Sequence, residues 1–474
     1  MASQNIAFSS IPSSIRKPGK YFEYNAALAV RSLPTNLQRV LIVAQMLTSG
    51  ATATANAVVQ VFDSETAAAL FGRGSQAHRM VKAALNANRY AQLFVLPVAD
   101  AASSVAATAT VTASGAATTA GTLVLTVCGV RAEVAVASGD TAATFATNLN
   151  AALALLTDLP VTRSVAAGVV TLTQRNKGTV GNAHLVKVSG TVAGLTVAAT
   201  AFTGGTLDPT LATALAAAFG GGHEILVVPY STGTPLTDLR THLNAVSDPM
   251  ERRPAIGVYA SGGTLSAATT QAGTLNGNRL TAGFLKNSST PAEELAGMYA
   301  SVVAFEEDPA RPLNTLVLTG AVAPDVADRL SRTEQESCLA NGVTPLEWGP
   351  GDVVQIVRAV TTYTLNPSSV ADVSWLDLTT MRTMDYVMKA MRTRVELRFP
   401  RDKLSAKTPA RVRSELLDVA LKLEELEIVE NVDKWANDLV VERDSQDVNR
   451  LNAKIPVDVV NGLHVFAGRL DLIL

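Results

Sequence analysis

A multidomain mixed α/β protein is predicted by three observations. Short continuous apolar runs recur along the chain, segments with helix-start signals separate them, and a threonine-, valine- and alanine-rich block of strand texture interrupts the alternation. The expected architecture is an α/β sandwich core with an inserted β-rich domain and extended terminal arms, α+β overall. A chain of 474 residues is also too long for one ordinary core, so more than one domain is expected.

Residues 1–38 carry Pro12, Pro18, Gly19 and Pro34 among scattered apolar anchors (Ile6, Phe8, Ile11, Ile15, Tyr21, Phe22), which favours an extended arm over a helix. The first part of the core is assigned to 39–99. There RVLIVAQML (39–47) and LFVLPV (93–98) read as buried strands flanking helical signals from Ser64 to Asn88. The inserted β-rich domain is assigned to 100–204, with strands at 122–127, 169–173 and 184–188. It holds one amphipathic helix, read as capped by Asp140 and carrying Phe145, Leu149, Ala152 and Leu156.

The second part of the core, 205–345, alternates apolar strands (224–230, 255–260, 281–286) with helices opened by Asp208-Pro209, Thr234-Pro235 and Thr290-Pro291, the last with Glu293 completing a capping box. Residues 346–462 form an expected C-terminal α/β domain. The turn Gly349-Pro350-Gly351-Asp352 separates two strands, and two helices carry stripes at three-four spacing: Met381, Met384, Met388, Met391 and Val395, then Val412, Leu416, Val419, Leu423 and Leu426. Alternation from Leu451 to Val459 predicts a strand, Asn461-Gly462 a hairpin turn, and 463–474 a terminal arm strand.

Composition narrows the function. Charged residues are 17%, hydrophobic residues 47% and the formal net charge −2, so no broad basic field exists for a phosphate backbone, and nucleic acid is not expected as partner. Cys128 and Cys338 lie outside any paired spacing and are expected to be reduced thiols. The N-terminus lacks the apolar core of a secretion signal and no stretch reaches membrane-span length, so cytoplasmic synthesis and no spanning segment are expected.

Phosphate-loop, zinc-protease, nucleophile-elbow and paired-cysteine patterns are missing from the sequence, and His78, His184, His223, His242 and His464 have no ligand spacing. Gly72-Arg73-Gly74-Ser75 reads as a turn with Ser75 as N-cap rather than an anion cradle, and Gly220-Gly221-Gly222 as a helix stop. No catalytic residue, metal or cofactor is expected. The methionine stripe reads as core packing, with an adaptable partner face as the alternative. Basic residues concentrate from Arg382 to Arg413 and acids from Glu415 to Asp447, which suits either solvated faces or opposite-sign surfaces that meet between molecules.

Three stretches together resemble the tail sheath family of Mu-like contractile phages: IAFSSIPSSIRKPGKYFEYNAALAV at the N-terminus, NGVTPLEWGPGDVVQIVRAVTTYTL at 341–365, and DVSWLDLTTMRTMDYVMKAMRTRVELRFPRDKL at 372–404. The resemblance implies a structural subunit that polymerises helically around a tail tube and contracts. Its implied partners are other copies of itself, the tube protein, and baseplate and tail terminator proteins, in a virion assembled in the host cytoplasm. It also implies arms exchanged between neighbours through strands near 18–30 and 463–474, with Tyr21, Phe22, Val465, Phe466, Leu470 and Leu472 as contact residues, and a terminal domain innermost against the tube; the charge pattern of its helices then makes Arg411, Arg413 and Lys422 the candidate tube-facing charges. Two other classes stay open on the residues alone: an α/β enzyme binding a dinucleotide, and a tail-surface adhesion protein whose β-rich insert binds the host.

Overall fold

The structure is a computed structural model describing residues 14–22, 33–36 and 38–473. The arm anchors Ile6, Phe8, Ile11 and Pro12, and residues 23–30 of the candidate arm strand, lie outside the described residues. The chain divides into two compact units.

The larger unit comprises residues 36–387, 427–430 and 457–474 and is built on an eight-stranded sheet. It opens with β1 (Arg39–Gln45), β2 (Val59–Val61), α1 (Ser64–Phe71), α2 (Gln76–Ala87) and β3 (Gln92–Val98). The chain then leaves that sheet for β4 (Thr108–Gly115), β5 (Gly121–Val127), β6 (Val130–Val136), α3 (Ala142–Leu155), β7 (Val161–Ala166), β8 (Val169–Gln174), β9 (Val186–Ser189) and β10 (Leu195–Ala199). It returns with α4 (Ala212–Ala218), β11 (Ile225–Val227), α5 (Thr234–Val246), β12 (Ile256–Ser261), α6 (Leu265–Leu275), β13 (Leu280–Phe284), α7 (Ala292–Phe305) and α8 (Arg332–Ala340), and closes with the hairpin β14 (Thr344–Gly349) and β15 (Val353–Ile356).

The sheet order is β15-β14-β13-β12-β11-β1-β3-β2, parallel from β14 to β3 and antiparallel at both ends. Its inner strands are apolar throughout because helices cover both faces. In β1, Val40, Ile42 and Ala44 join the cluster that contains Met80 and Tyr299, whereas Leu41 and Val43 join the opposite one with Leu239 and Tyr259. Helices α2 and α7 approach closely at Gly297, where a Cβ would lie 3.0 Å from the Met80 carbonyl oxygen. The β15 edge is protected: the Thr315 and Leu318 amides donate to Ile356 and Val354, and Ile356 donates to the Leu316 carbonyl.

Strands β4–β10 form two antiparallel sheets, β10-β4-β8-β7 and β6-β5-β9, around a separate apolar cluster that includes Phe145, Leu149 and Leu153 of α3. Polar contacts join this block to α2, α7 and the turn between α1 and α2. Asp158 accepts from Arg73 at 2.7 Å and Lys82 at 2.6 Å, and Asn176 accepts from the Gln76 amide while donating to the Met46 carbonyl. Deeper in, Glu293 sits 2.8 Å from His184 Nε2 and 3.3 Å from Arg79, which also donates to Glu294 at 2.8 Å.

Burial would push the His184 imidazole down, yet Glu293 reverses that and raises it to about 10. Burial would push the Glu293 carboxyl up, but His184 and Arg79 hold it at about 2. The pair is therefore ionised at neutral pH.

Several elements differ from their sequence expectation. Thr141, not Asp140, caps α3; Asp140 accepts from the Ala137 amide instead. Glu293 completes no capping box: Pro291 occupies the cap position without a side-chain bond, and the carboxylate turns inward to His184. Helix α4 starts at Ala212 rather than at Asp208-Pro209, because Asp208 accepts from the Thr179 amide. Thr234-Pro235 opens α5 as expected, and the Gly349–Asp352 turn joins β14 to β15.

The smaller unit comprises residues 1–35, 388–426 and 431–456. It contains the end of α9 (Leu378–Arg398), then α10 (Thr408–Glu425), the short α11 (Val432–Trp435), and a hairpin of β16 (Val440–Arg443) and β17 (Leu451–Lys454). Val412, Leu416, Val419 and Leu423 of α10 are buried, while Leu426, past the helix end, is 55% exposed. The methionine stripe of α9 is broken: Met381 and Met391 are buried, but Met388 is exposed and Val387, Ala390 and Arg394 take the inner positions. The strand expected over 451–459 ends at Lys454, and no strand follows Asn461-Gly462 among the described residues.

Replacing Arg79 by Leu leaves part-buried Glu294 without its cation and buried Glu293 with His184 alone, and is expected to cost about 3–5 kcal/mol in chemical denaturation. The His184–Glu293 pair also sets a pH dependence. Its stabilisation is complete between the ordinary values of 4.5 and 6.5, and is lost as pH falls towards about 2 or rises towards about 10. Denaturation midpoints of wild type and His184→Gln measured across pH check this: the alkaline decline should flatten in the variant.

Candidate assembly surfaces

The smaller unit exposes a groove between its helices and its hairpin. The register pairs Val441 with Ala453 and Arg443 with Leu451, so Val441, Leu451 and Ala453 join Ile455 along one wall. Met391, Val395 and Phe399 of the α9 region and Val412 and Leu416 of α10 line the rest, enclosing about 550 Å³. The loop closing the hairpin is organised by Asp444, which accepts from the Asn452 side chain and from the Asp447 and Gln446 amides. Together these hold its carboxyl at about 2. Among the described residues this sheet has only two strands.

The C-terminal segment is the complementary feature. Residues 463–473 form no regular structure, and their apolar side chains face outward: Leu463, Val465, Phe466, Leu470, Leu472 and Ile473 are 78–100% exposed. Of the N-terminal candidates, Phe22 is 91% exposed and Tyr21 is 42% exposed, with its hydroxyl donating to the Lys17 carbonyl.

The charged residues of α9 and α10 pair largely with each other. Arg394, 4% exposed, donates to Asp418 at 2.7 Å and Glu415 at 3.1 Å, and Arg398 lies 3.5 Å from Glu415. Lys422 is 3.1 Å from Asp418, and Arg413 donates to the Leu439 and Ala436 carbonyls, tying α10 to the approach of β16. Arg411 pairs with Asp402 at 2.9 Å and lies over the Phe399 ring; 59% exposed, it is far more accessible than Lys422 at 18%.

The glycine-rich turn before α2 is internally satisfied. Ser75 Oγ accepts from the His78 amide, and the Gly74 amide donates to His78 Nδ1. Both cysteines are free and buried. Among the described residues, no group of three or more His, Cys, Asp or Glu side chains is placed to hold a metal ion, and no helix is long and apolar enough to cross a membrane.

Two comparisons of sequence fall on this architecture. The phage tail sheath protein central domain matches residues 204–362, and the phage tail sheath C-terminal domain matches residues 370–473. The Mu-like prophage FluMu tail sheath protein of Haemophilus influenzae is 33% identical over 99% of this chain and 100% of its own length. The chain belongs to the phage tail sheath family, a class of structural virion proteins.

Solved sheath tail proteins share the fold. That of Desulfitobacterium hafniense covers 94% of this chain and 97% of its own at TM-score 0.52 and 13% identity. That of Listeria innocua covers 92% and 94% at TM-score 0.51 and 15% identity.

Burial separates the two arginine pairs by their effect. Arg394→Met removes the buried cation shared by Glu415 and Asp418, leaving Glu415 with Arg398 and Asp418 with Lys422, and is expected to cost about 3 kcal/mol. Arg411→Ala removes an exposed pair and is expected to cost under about 1 kcal/mol. Urea denaturation of both variants checks the contrast.

Proposed function

We propose that this chain assembles head to tail into a helical sheath around an inner tube, and that contraction of this lattice drives the tube outward. The observation that carries the reading is a matched pair of unsatisfied surfaces: an apolar segment projecting from the chain end, and a two-stranded sheet with an open apolar groove. A two-stranded sheet is marginal in water, and an extended peptide added to its edge supplies main-chain hydrogen bonds plus side-chain burial. Burying Val465, Phe466, Leu470 or Leu472 in a neighbour is worth about 1.5–3 kcal/mol each. A head-to-tail contact of this kind does not close on itself, so one subunit type builds a long polymer.

In this reading residues 463–474, and an N-terminal strand containing Tyr21 and Phe22, link each copy to its neighbours. Residues 100–204 form the outer domain, the segments 39–99 and 205–345 the core, and 346–462 the inner domain, whose contact with the tube involves Arg411, Arg413 and Lys422. The extended lattice is metastable, and subunits rotate as rigid bodies into a shorter, wider one while the exchanged strands keep them joined. A baseplate triggers the change, a terminator caps the tail, and assembly takes place in the host cytoplasm.

Negative-stain electron microscopy of the purified chain tests this. Striated hollow tubes are expected from the full chain and discrete particles after deletion of residues 463–474; tubes of equal length from both would remove the arm from the account. Charge reversal at Arg411 should reduce co-purification with the tube protein several-fold in low salt, and unchanged co-purification would take Arg411 off the inner face.

A further inference from the structure

The segment leading into the C-terminal arm is held to its own unit by a small set of contacts. Val459 bridges Val429, the Glu430 amide donates to the Asp458 carbonyl at 2.9 Å, and the Val460 amide donates to the Ile428 carbonyl at 3.4 Å. Gly462 packs so tightly on Pro312 that a Cβ would lie 2.7 Å from the ring. The last anchor is His464. Asn314 Nδ2 donates to His464 Nδ1 at 3.0 Å, and His464 Nε2 faces Asp377 Oδ1 at 3.7 Å, too long for a hydrogen bond. Beyond His464 the apolar side chains of the arm are exposed.

This anchor is sensitive to one proton by construction. An imidazole that accepts at Nδ1 carries its proton on Nε2 and is neutral. A second proton, on Nδ1, would point at the N–H of Asn314, a donor meeting a donor. Asp377, the carboxylate facing the ring, already accepts from Arg358 Nε at 2.8 Å and Nη2 at 2.7 Å, which places a fixed cation behind it. His464 Nε2 and Asn314 Oδ1 are both buried without a hydrogen-bond partner, so the site has unused polar capacity that a change of protonation would redistribute.

We propose that His464, Asn314 and Asp377 form a proton-sensitive latch that fixes where the C-terminal arm leaves its own subunit, closed at neutral pH and released on acidification. The proposal rests on the reading of residues 463–474 as an intersubunit arm and adds its regulation. The charged groups facing the imidazole are Asp377 and Arg358. Burial and then Arg358 lower the imidazole below its ordinary 6.5, against the opposing pull of Asp377. The sign follows: the closed latch binds fewer protons than the open one, so closure is complete above 6.5 and weakens as pH falls below it. His464 and Asn314 are positioning residues; they set the direction of the arm, and the arm makes the contact.

Hydrogen exchange of the free chain at about pH 7.5 and about pH 5, corrected for intrinsic rates, reads the latch through the Glu430 and Val460 amides. Wild type is expected to lose about tenfold in protection at the lower pH, and His464→Gln, which keeps an acceptor for Asn314 but does not titrate, should lose none. Equal pH dependence in the two proteins overturns the proposal. Should His464→Gln be unprotected at both pH values, Asn314→Asp decides: a carboxylate that accepts the Nδ1 proton must hold the latch closed at about pH 5, and release as in wild type overturns the proposal. Tube formation is scored separately. Tubes from a chain whose latch ignores pH leave the sheath reading standing, whereas absence of tubes bears on that reading while the exchange result still decides the latch.

Discussion

Every backbone N–H and C=O withdrawn from water has to find a partner, and this constraint organises the protein at two scales. In the large sheet it is met internally. Six parallel strands satisfy each other, β2 and β15 close the ends in antiparallel pairing, and residues 315–318 cover the outer side of β15. In the small β16–β17 sheet it is met by one pairing only among the described residues. The segment after Gly462 meets it with no regular structure at all. A single copy thus keeps unsatisfied strand-forming capacity in its hairpin and its terminal segment, with apolar side chains attached to both. The proposed polymer follows from that excess.

Charge is spent mostly inside the subunit. Arg79, Glu293 and His184 join α2, α7 and the β-rich block, Asp158 holds Arg73 and Lys82, and Arg394 joins α9 to α10. Breaking the buried pairs among them, those of Arg79 and Arg394, costs more than their formation gains, so these two contacts favour one arrangement over its alternatives more than they add net stability. For the proposed contraction this has a mechanical use. A β-rich block fastened to α2 and α7 by directional ionic contacts moves with the sheet instead of hinging against it, and a lattice of rigid bodies transmits rotation without dissipating it in internal flexing.

Much of the large fold was legible because its strands are buried on both faces. Runs such as 39–47 and 255–260 carry no polar alternation to confuse them, and Pro235 and the Gly349–Asp352 turn mark their boundaries by backbone geometry alone. The β-rich block was legible in texture but incompletely in its strands: β4, β6 and β7 alternate Thr, Ala, Ser and Arg with small apolar residues, a weak signal of a half-buried sheet. Glu293 was misread because an acid three residues after Thr290 fits a capping box, whereas its partner His184 lies 109 residues away in sequence. The strand at Leu451 stops early for a local reason: Pro456 has no amide to donate to a ladder. The apolar character of residues 463–473 could be read from their composition, but the strand expected there is not formed among the described residues. The His464–Asn314–Asp377 contact could not be read, since nothing local marks three residues spread over about 150 positions as neighbours.

The central claim is that the open hairpin of one copy receives the terminal segment of another. A helical cryo-electron microscopy reconstruction of assembled tubes tests it most directly. The account predicts residues 463–473 extended along β16–β17 of a neighbouring copy, with Phe466, Leu470 and Leu472, which share one face of an extended strand, turned into the groove lined by Val395, Val412, Leu416 and Val441. A terminal segment folded back on its own subunit, with that groove open to solvent in the lattice, would contradict it.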